Sequence, residues 1–460
     1  MSIPTDLCHI IGEYAASARY ATLGDDAIRG AKMSIIDTLG VCLAASGMEP
    51  AARGVIDLVK ASGGREESSI IGFGAKVPAV MAAFANGALA HCLDYDDQTP
   101  WGQHSASSLI PAVFAVSQRV GGVSGEKMIT SVAVGQDLFN RFRRNVHWQK
   151  DWMFTTVIGV FCATAASGIV LGLSAGQIAN GLGIASMQCS GSAEVVNSTG
   201  SDLRALYAGF PAKGAVLSAL LAERGVGGLP RLFEGPFGIM NLYFAGGYDR
   251  DKIIDGLGVN YTGGLTLYKR WPAVGTSHSH IHATIGIMSE HDLKGDDIAE
   301  IRLHVGDYHQ LMCDPLDRRS APDTLVDAKF SLPFLVAVAS VRRDVRLVDF
   351  SNDAIHDPEV LATARKIVLV PDATLDWKLD LPPGRVEIVT RDGRAFSKVG
   401  TGIPGSAEKP MTWEDIARKF DDCARSAVKP FTGLEIQKLV AKGRNLESLA
   451  DATDVLRAAG

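Results

Sequence analysis

From Met153 to Ala193 the chain carries no Asp, Glu, Lys, Arg or His, and this run limits the possible folds more than any other feature. A segment such as 154–173 is long enough to cross a bilayer, which takes roughly 20 apolar residues. Its composition argues otherwise. Thr155, Thr156, Thr164 and Ser167 interrupt it, Ala and Gly outnumber Leu and Phe, and neither aromatic belts nor a strong basic flank accompanies it. Helices enclosed on all sides by a large core read the same way. The expectation is therefore two buried helices, 154–173 and 175–187, inside a water-soluble fold with no membrane partner.

A core of that kind suits the length. At about 100–200 residues per unit, 460 residues make two to four structural units. The chain is 47% hydrophobic and 21% charged, which excludes a mostly disordered protein. Its net charge of −6 includes no basic block, so no nucleic-acid partner is expected. Cys8, Cys42, Cys92, Cys162, Cys189, Cys313 and Cys423 lie far apart with no CxxC, which fits a reducing compartment and neither a disulfide scaffold nor a zinc module. The stretch Met1–Cys8 lacks the basic start and apolar core of a signal peptide. A cytoplasmic location is the expectation.

Helical periodicity dominates the first 250 residues. Ile28, Ala31, Ile35, Leu39 and Cys42 recur at helical spacing within 25–45, and further helices are expected over 77–93, 109–120, 125–143 and 206–224. Ser174 and Gln177 form the sequence pattern of a capping box, as do Thr412 with Asp415 and Thr432 with Glu435. After about residue 260 the texture changes. Ile301, Leu303 and Val305 alternate with polar neighbours, 366–370 is a second strand, and Asp392-Gly393 joins 385–391 to 394–399 as a hairpin. Helices over 280–291 and 328–341 interrupt these strands. The fold class expected is mainly α with an α+β part. Residues 1–262 and 405–460 form a large all-helical domain, and 263–404 form a smaller α+β lid.

Two clusters carry candidate chemistry. In the first, His91 and Asp94 would share a helix face. Asp96 and Asp97 follow at that helix's end, where negative charge opposes the dipole. Acidic residues so placed either cap a neighbouring element or orient a catalytic group. His104 precedes a helix start, where the dipole favours neutral imidazole and free N–H groups welcome a carboxylate. In the second cluster, Lys269 and Arg270 precede His278, His280 and His282, the pattern of an anion site. A metal is not expected there, because residues two apart on a helix diverge by about 200°. Dinucleotide, phosphate-loop and nucleophile-elbow motifs are absent from the sequence.

The segment His91-x-x-Asp94-Tyr-Asp96-Asp97…His104-Ser105 resembles the MmgE/PrpD family. The likeness continues through Ile36-Asp37-Thr-Leu-Gly40, Leu171-Gly-Leu-Ser-x-x-Gln177-Ile, Tyr207-Ala-Gly209, Ala328-Lys-Phe-Ser-Leu-Pro333 and Asp392-Gly393…Pro410. The family contains 2-methylcitrate dehydratases, cis-aconitate decarboxylases and iminodisuccinate epimerases. The resemblance implies a homodimer and a cofactor-independent, metal-free site between the domains. It matches Asp94, His104 and His278 to catalytic positions and Lys269 to a conserved lysine of the family motif. Arg204 stands at a usual lysine, and Tyr207 and Met153 at usual histidines, all three against the substrate with Arg270. Chemistry of this kind needs cations to hold carboxylates and a base with a pKa near 7. Dehydration or decarboxylation of a small di- or tricarboxylate is the expected lyase activity. Epimerisation of a small dicarboxylate is the alternative, and a non-catalytic helical binding protein with a degenerate site is the second.

Overall fold

The computed structural model describes residues 5–459. Met1–Pro4, part of the N-terminal stretch read above, and Gly460 lie outside the described residues. In chain order the principal helices of the first part are α1 (Leu7–Ser17), α2 (Asp25–Met48), α3 (Pro50–Ala61), α4 (Ala79–His91), α5 (Ala106–Arg119), α6 (Gly125–Asn145), α7 (Phe154–Leu171), α8 (Ala175–Ala185) and α9 (Gly209–Glu223). Helix α7 is the uncharged run, and it sits at the centre against α5, α6, α8 and α9. Three helical stretches, Asp25–Met48, Phe154–Leu171 and Leu203–Glu223, are long and apolar enough to span a bilayer, but 94% of α7 is buried inside the protein itself. Two of its hydroxyls turn back on the backbone, Thr164 donating to Val160 O at 2.7 Å and Thr156 to Met153 O at 2.9 Å, while Thr155 donates to Gln103 Oε1 at 3.3 Å. Ser167 Oγ alone in this helix stays without a partner.

Small residues allow these helices to approach closely. A Cβ at Gly209 would stand 2.5 Å from Phe84 O, so α9 crosses α4 backbone to backbone. A Cβ at Gly168 would meet Ile178 Cγ1 at 2.8 Å, which brings α8 onto α7. Between those two helices Gly172 ends α7 at φ +72°, and Ser174 and Gln177 make the expected capping box. Ala166 is fully buried in this packing. Ala166→Leu is expected to overpack it at a cost of about 1–3 kcal/mol, read as a lower Tm; a mutant melting with the wild type would contradict the central placement of α7.

The second part is α+β. It comprises α10 (His278–Glu290), β1 (Ile298–Val305), α11 (Leu332–Arg342), β2 (Ile367–Pro371), β3 (Arg385–Thr390) and β4 (Ala395–Val399). The sheet order is β2-β1-β3-β4, with β2 parallel to β1 and the other pairs antiparallel. Gly393 takes φ +85° in the hairpin turn, as Asp-Gly requires. Ile298, Ile301, Leu303 and Val305 face inward on β1. The helix expected over 328–341 is broken: a short turn, Leu325–Lys329, precedes α11, whose first turn holds Pro333 and is capped by Ser331 Oγ accepting from Phe334 N. Helices α12 (Trp413–Arg425) and α13 (Gly433–Arg444) return to pack on α2, each opened by its capping box. All seven cysteines are buried free thiols.

Candidate active site

Helix α4 ends at His91, and the next residues leave its axis. Asp94 takes φ +46°, so His91 and Asp94 do not share a helix face as expected. The loop is instead held by three buried lysines from the second half of the chain. Lys329 Nζ donates to Cys92 O at 2.7 Å, Lys269 Nζ to Asp94 O at 2.8 Å, and Lys419 Nζ to Tyr95 O at 2.5 Å. Each ammonium also has a carboxylate: Glu49 at 2.8 Å, Asp94 Oδ1 at 2.5 Å and Asp37 at 2.7 Å, respectively. Asp97 and Gln98 then pair with Tyr268 and Leu267 as a short antiparallel bridge. Three cations on the carbonyls of Cys92, Asp94 and Tyr95 fix the loop before any ligand arrives, which is the preorganisation an electrostatic site requires.

The acidic residues divide the work. Asp97 is a helix cap: its carboxylate accepts from Ala106 N at 3.0 Å and Ser105 Oγ at 2.5 Å at the start of α5. The N–H groups expected to receive a substrate carboxylate are therefore occupied. Burial, with Asp96 close by, pushes the Asp97 carboxyl up to about 7. Asp96 Oδ2 receives His91 Nδ1 at 3.0 Å and lies 3.3 Å from His104 Nδ1. Burial raises the Asp96 carboxyl, but the His104 and His91 imidazoles outweigh it and hold it below the usual carboxylate range. Burial likewise opposes ionisation of Asp94, and the Lys269 ammonium outweighs it.

His104 is oriented by this frame. Its Nδ1 is 2.6 Å from Asp97 O, an acceptor only, so Nδ1 carries the hydrogen and Nε2 is the free, titrating nitrogen. Nε2 points past Asp94 Oδ1, 3.8 Å away. Burial pushes the imidazole down to about 4, which leaves it unprotonated near pH 7 but a weaker base than the value near 7 expected from the sequence. Asp94 Oδ2 and Asp96 Oδ1 are buried without hydrogen-bond partners among the described residues.

A cavity opens over His104. His91, Asp94, Gln103, Met153, Arg204, Tyr207, Tyr308 and Trp377 are among its walls. Arg204 lies beneath the Phe330 ring, 3.5 Å from guanidinium to centroid, donates to Val196 O, and has no carboxylate within ion-pair distance among the described residues. Burial lowers its pKa. A buried guanidinium without a counter-ion, facing a cavity, is prepared for an anion from outside. Met153 and Tyr207 line the same space, the Tyr207 ring tilted 49° against His91 with centroids 4.3 Å apart.

Three expected site residues lie elsewhere. Lys269 is spent on Asp94 and is outside the cavity wall. Arg270 is largely exposed and faces Asp344 at 3.5 Å. His278 lies on an adjoining cavity, 3.3 Å from Ala273 O, where burial and the Lys269 charge push it down to about 3. The second cluster is thus no anion site, because its cations are pointed away or already paired. Sequence reasoning missed Lys329, Lys419 and Tyr308; Lys329 sits in a motif that was noticed, but nothing in the sequence marked its contact with Cys92. His91, Asp94, Asp96 and His104 bring ligand-type atoms within 4.8 Å of one another and could hold a metal by type. The Lys269 ammonium already occupies the Asp94 end of that cluster, and Asp96 Oδ2 already faces both imidazoles, so the donor set fits shared protons better than a divalent ion.

Comparison with known proteins gives a consistent answer. Models of the MmgE/PrpD N-terminal and C-terminal domains match residues 9–251 and 271–442. A cis-aconitate decarboxylase of Aspergillus terreus is 26% identical over 99% of this chain and 95% of its own length. The cis-aconitate decarboxylase of Mus musculus is 23% identical over 95% of this chain and 89% of its own. A mitochondrial 2-methylcitrate dehydratase of Yarrowia lipolytica is 21% identical over 82% of this chain and 76% of its own. Matched in order by both domain models over most of its length, the chain belongs to the MmgE/PrpD family.

Proposed function

We propose that this protein is a lyase of a small di- or tricarboxylate that works by moving a proton next to a carboxylate. The observation that carries the reading is the neutral His104 Nε2 facing the same cavity as the unpaired Arg204 guanidinium. Arg204 holds a substrate carboxylate and stabilises the enolate-like charge that develops on it. His104 removes the adjacent carbon-bound proton. The electron pair left behind forms the C=C bond as the C–O bond breaks, and the departing β-hydroxyl takes up the proton that His104 removed, so the balance is one water lost and His104 is again neutral. In decarboxylation the C–C bond to CO₂ breaks instead, and the carbon is protonated by an acid such as a cavity tyrosine. A base held neutral favours the dehydration sense. Its relatives' names supply both chemistries. The side chains alone carry the steps as drawn, without a cofactor.

Epimerisation needs a second proton-transfer group across the substrate, and His278, the candidate for it, faces another cavity. The test is proton NMR in D₂O with citrate-, aconitate- and aspartate-derived acids. Loss of water or CO₂ supports the lyase reading; deuterium exchange with inversion and no net product would favour the epimerase; silence with every acid would support a binding protein. Arg204→Lys should act on binding, raising KM by the loss of one bidentate contact, about 1.5–3 kcal/mol at most. A large fall in kcat at unchanged KM would contradict that role.

A further inference from the structure

Arg143 is a second buried guanidinium, and the chemistry above gives it no task. It lies on α6, is 2% exposed, and has no carboxylate within ion-pair distance among the described residues; Asp380 acts on it only from further off. Burial pushes its pKa down to about 10, so it stays charged near pH 7. Its Nη2 donates to Trp101 O at 2.6 Å, and its Nε is buried without a hydrogen-bond partner among the described residues. The rings of Trp148, Phe154 and Trp377 enclose it, with centroids 5.3, 5.7 and 5.7 Å from the guanidinium carbon. Ring faces attract a cation, but they offset only part of the cost of taking one out of water. A neutral donor would serve the Trp101 carbonyl as well. A full charge kept in this place suits an anion that arrives from outside.

The place for that anion is one layer away. Gly102, Tyr308 and Trp377 are walls of the cavity over His104. Trp377 rests on Gly102, where a Cβ would stand 2.6 Å from its Cζ2, and packs edge-on against Tyr308 with centroids 4.6 Å apart. Arg143 holds the carbonyl just before Gly102 and lies against the same Trp377 ring, so it stands behind this wall and does not line the cavity. Trp101, Phe154 and Trp377 are all buried, and a charge acting across such a layer is screened far less than one across water. Burial raises the Tyr308 hydroxyl, and the charges of Arg204 and Arg143 both oppose it. The field of Arg143 is thus felt at a group that lines the cavity.

We propose that Arg143 is a specificity-determining cation: without touching the substrate, its charge favours ligands in proportion to the number of ionised carboxylates they place in the cavity. This rests on the carboxylate reading of Arg204 given above, and it divides the work, Arg204 acting by contact and Arg143 by its field. Calorimetric titration of the full chain at pH 8 with monomethyl succinate, succinate and tricarballylate, which carry one, two and three charges, reads this without any need for turnover. In Arg143→Gln each ligand is expected to lose about three- to tenfold in affinity per charge it carries, so the loss for succinate is about the square of the loss for its ester. Arg143→Lys keeps the charge and is expected to preserve the wild-type spacing between the three affinities, which a loss of packing would not spare. Arg143→Met gives the same reading as the glutamine variant should that one fail to fold. Equal losses for all three ligands in the neutral variants, no loss, or a lysine variant whose spacing collapses with theirs overturns the proposal and leaves Arg204 as the anchor. Failure of both neutral variants to fold overturns it too, since the charge then serves the structure. No binding of any of the three to the wild type overturns the carboxylate reading, and the role of Arg143 falls with it.

Discussion

His104→Ala is expected to lower turnover of the identified substrate by about 10²–10⁴-fold, the usual share of a positioned general base, and to leave the fold standing. The loss follows from geometry: Asp97 O fixes Nδ1–H at 2.6 Å, so Nε2 is the one nitrogen free to accept the substrate proton. The fold is expected to survive because Asp96, which loses its neighbour in the variant, keeps His91 Nδ1 at 3.0 Å from its Oδ2. The downward displacement of His104 by burial sets the pH profile. A base must be unprotonated, so kcat/KM in the wild type should fall only as pH drops towards about 4, well below the ordinary histidine range. Steady-state assays from pH 4 to 8, with thermal melts of both proteins, check these expectations together. Unchanged turnover in the variant removes His104 from the mechanism, and an acid limb near pH 6.5 means that the imidazole is not held neutral as described.

The sequence discloses what is local. The uncharged run, the capping boxes and the Asp-Gly hairpin each involve residues close in the chain, and their structures follow the patterns closely. The site is only half legible. His91, Asp94, Asp96, Asp97 and His104 fall within 14 positions of one another, so their chemistry could be suspected, yet their division of labour depends on Asp94 leaving the helix at φ +46°. Spacing alone gives no warning of that. Lys269, Lys329 and Lys419 meet the loop from 175, 237 and 324 residues away, and no periodicity links them to it. Arg270 shows the opposite error. It adjoins Lys269 in sequence, but neighbouring residues before a turn point apart, and only Lys269 is drawn inward. Arg204 could be matched by likeness to its family, but the anchor role proposed for it rests on its having no carboxylate within ion-pair distance among the described residues, a fact that exists only in three dimensions.

The lysine frame yields the second large expectation: Lys269→Met destabilises the protein by about 3–5 kcal/mol near neutral pH, the cost of stranding one member of a buried ion pair. Asp94 is buried, its Oδ1 is 2.5 Å from Lys269 Nζ, and its Oδ2 has no hydrogen-bond partner among the described residues. In the wild type the ammonium holds the Asp94 carboxyl below its unfolded value. A depressed carboxyl stabilises the folded state above the unfolded pKa, and that contribution is lost as pH falls through the folded one. Without the ammonium, burial is the dominant influence left, and the Asp94 carboxyl shifts up instead. A raised carboxyl favours the folded state below its unfolded pKa, and that support disappears as pH rises through the folded value. The two proteins should therefore diverge most at alkaline pH and converge on acidification. Adding Asp94→Asn to Lys269→Met removes the stranded charge and should recover a large part of the loss, which separates this cause from simple loss of packing by the lysine stem. Urea unfolding at pH 5 and pH 8 of wild type, single and double variants measures each difference. A Lys269→Met protein as stable as the wild type at pH 8, or a double variant no better than the single one, would mean that the ion pair is not what holds the Asp94 loop under His104.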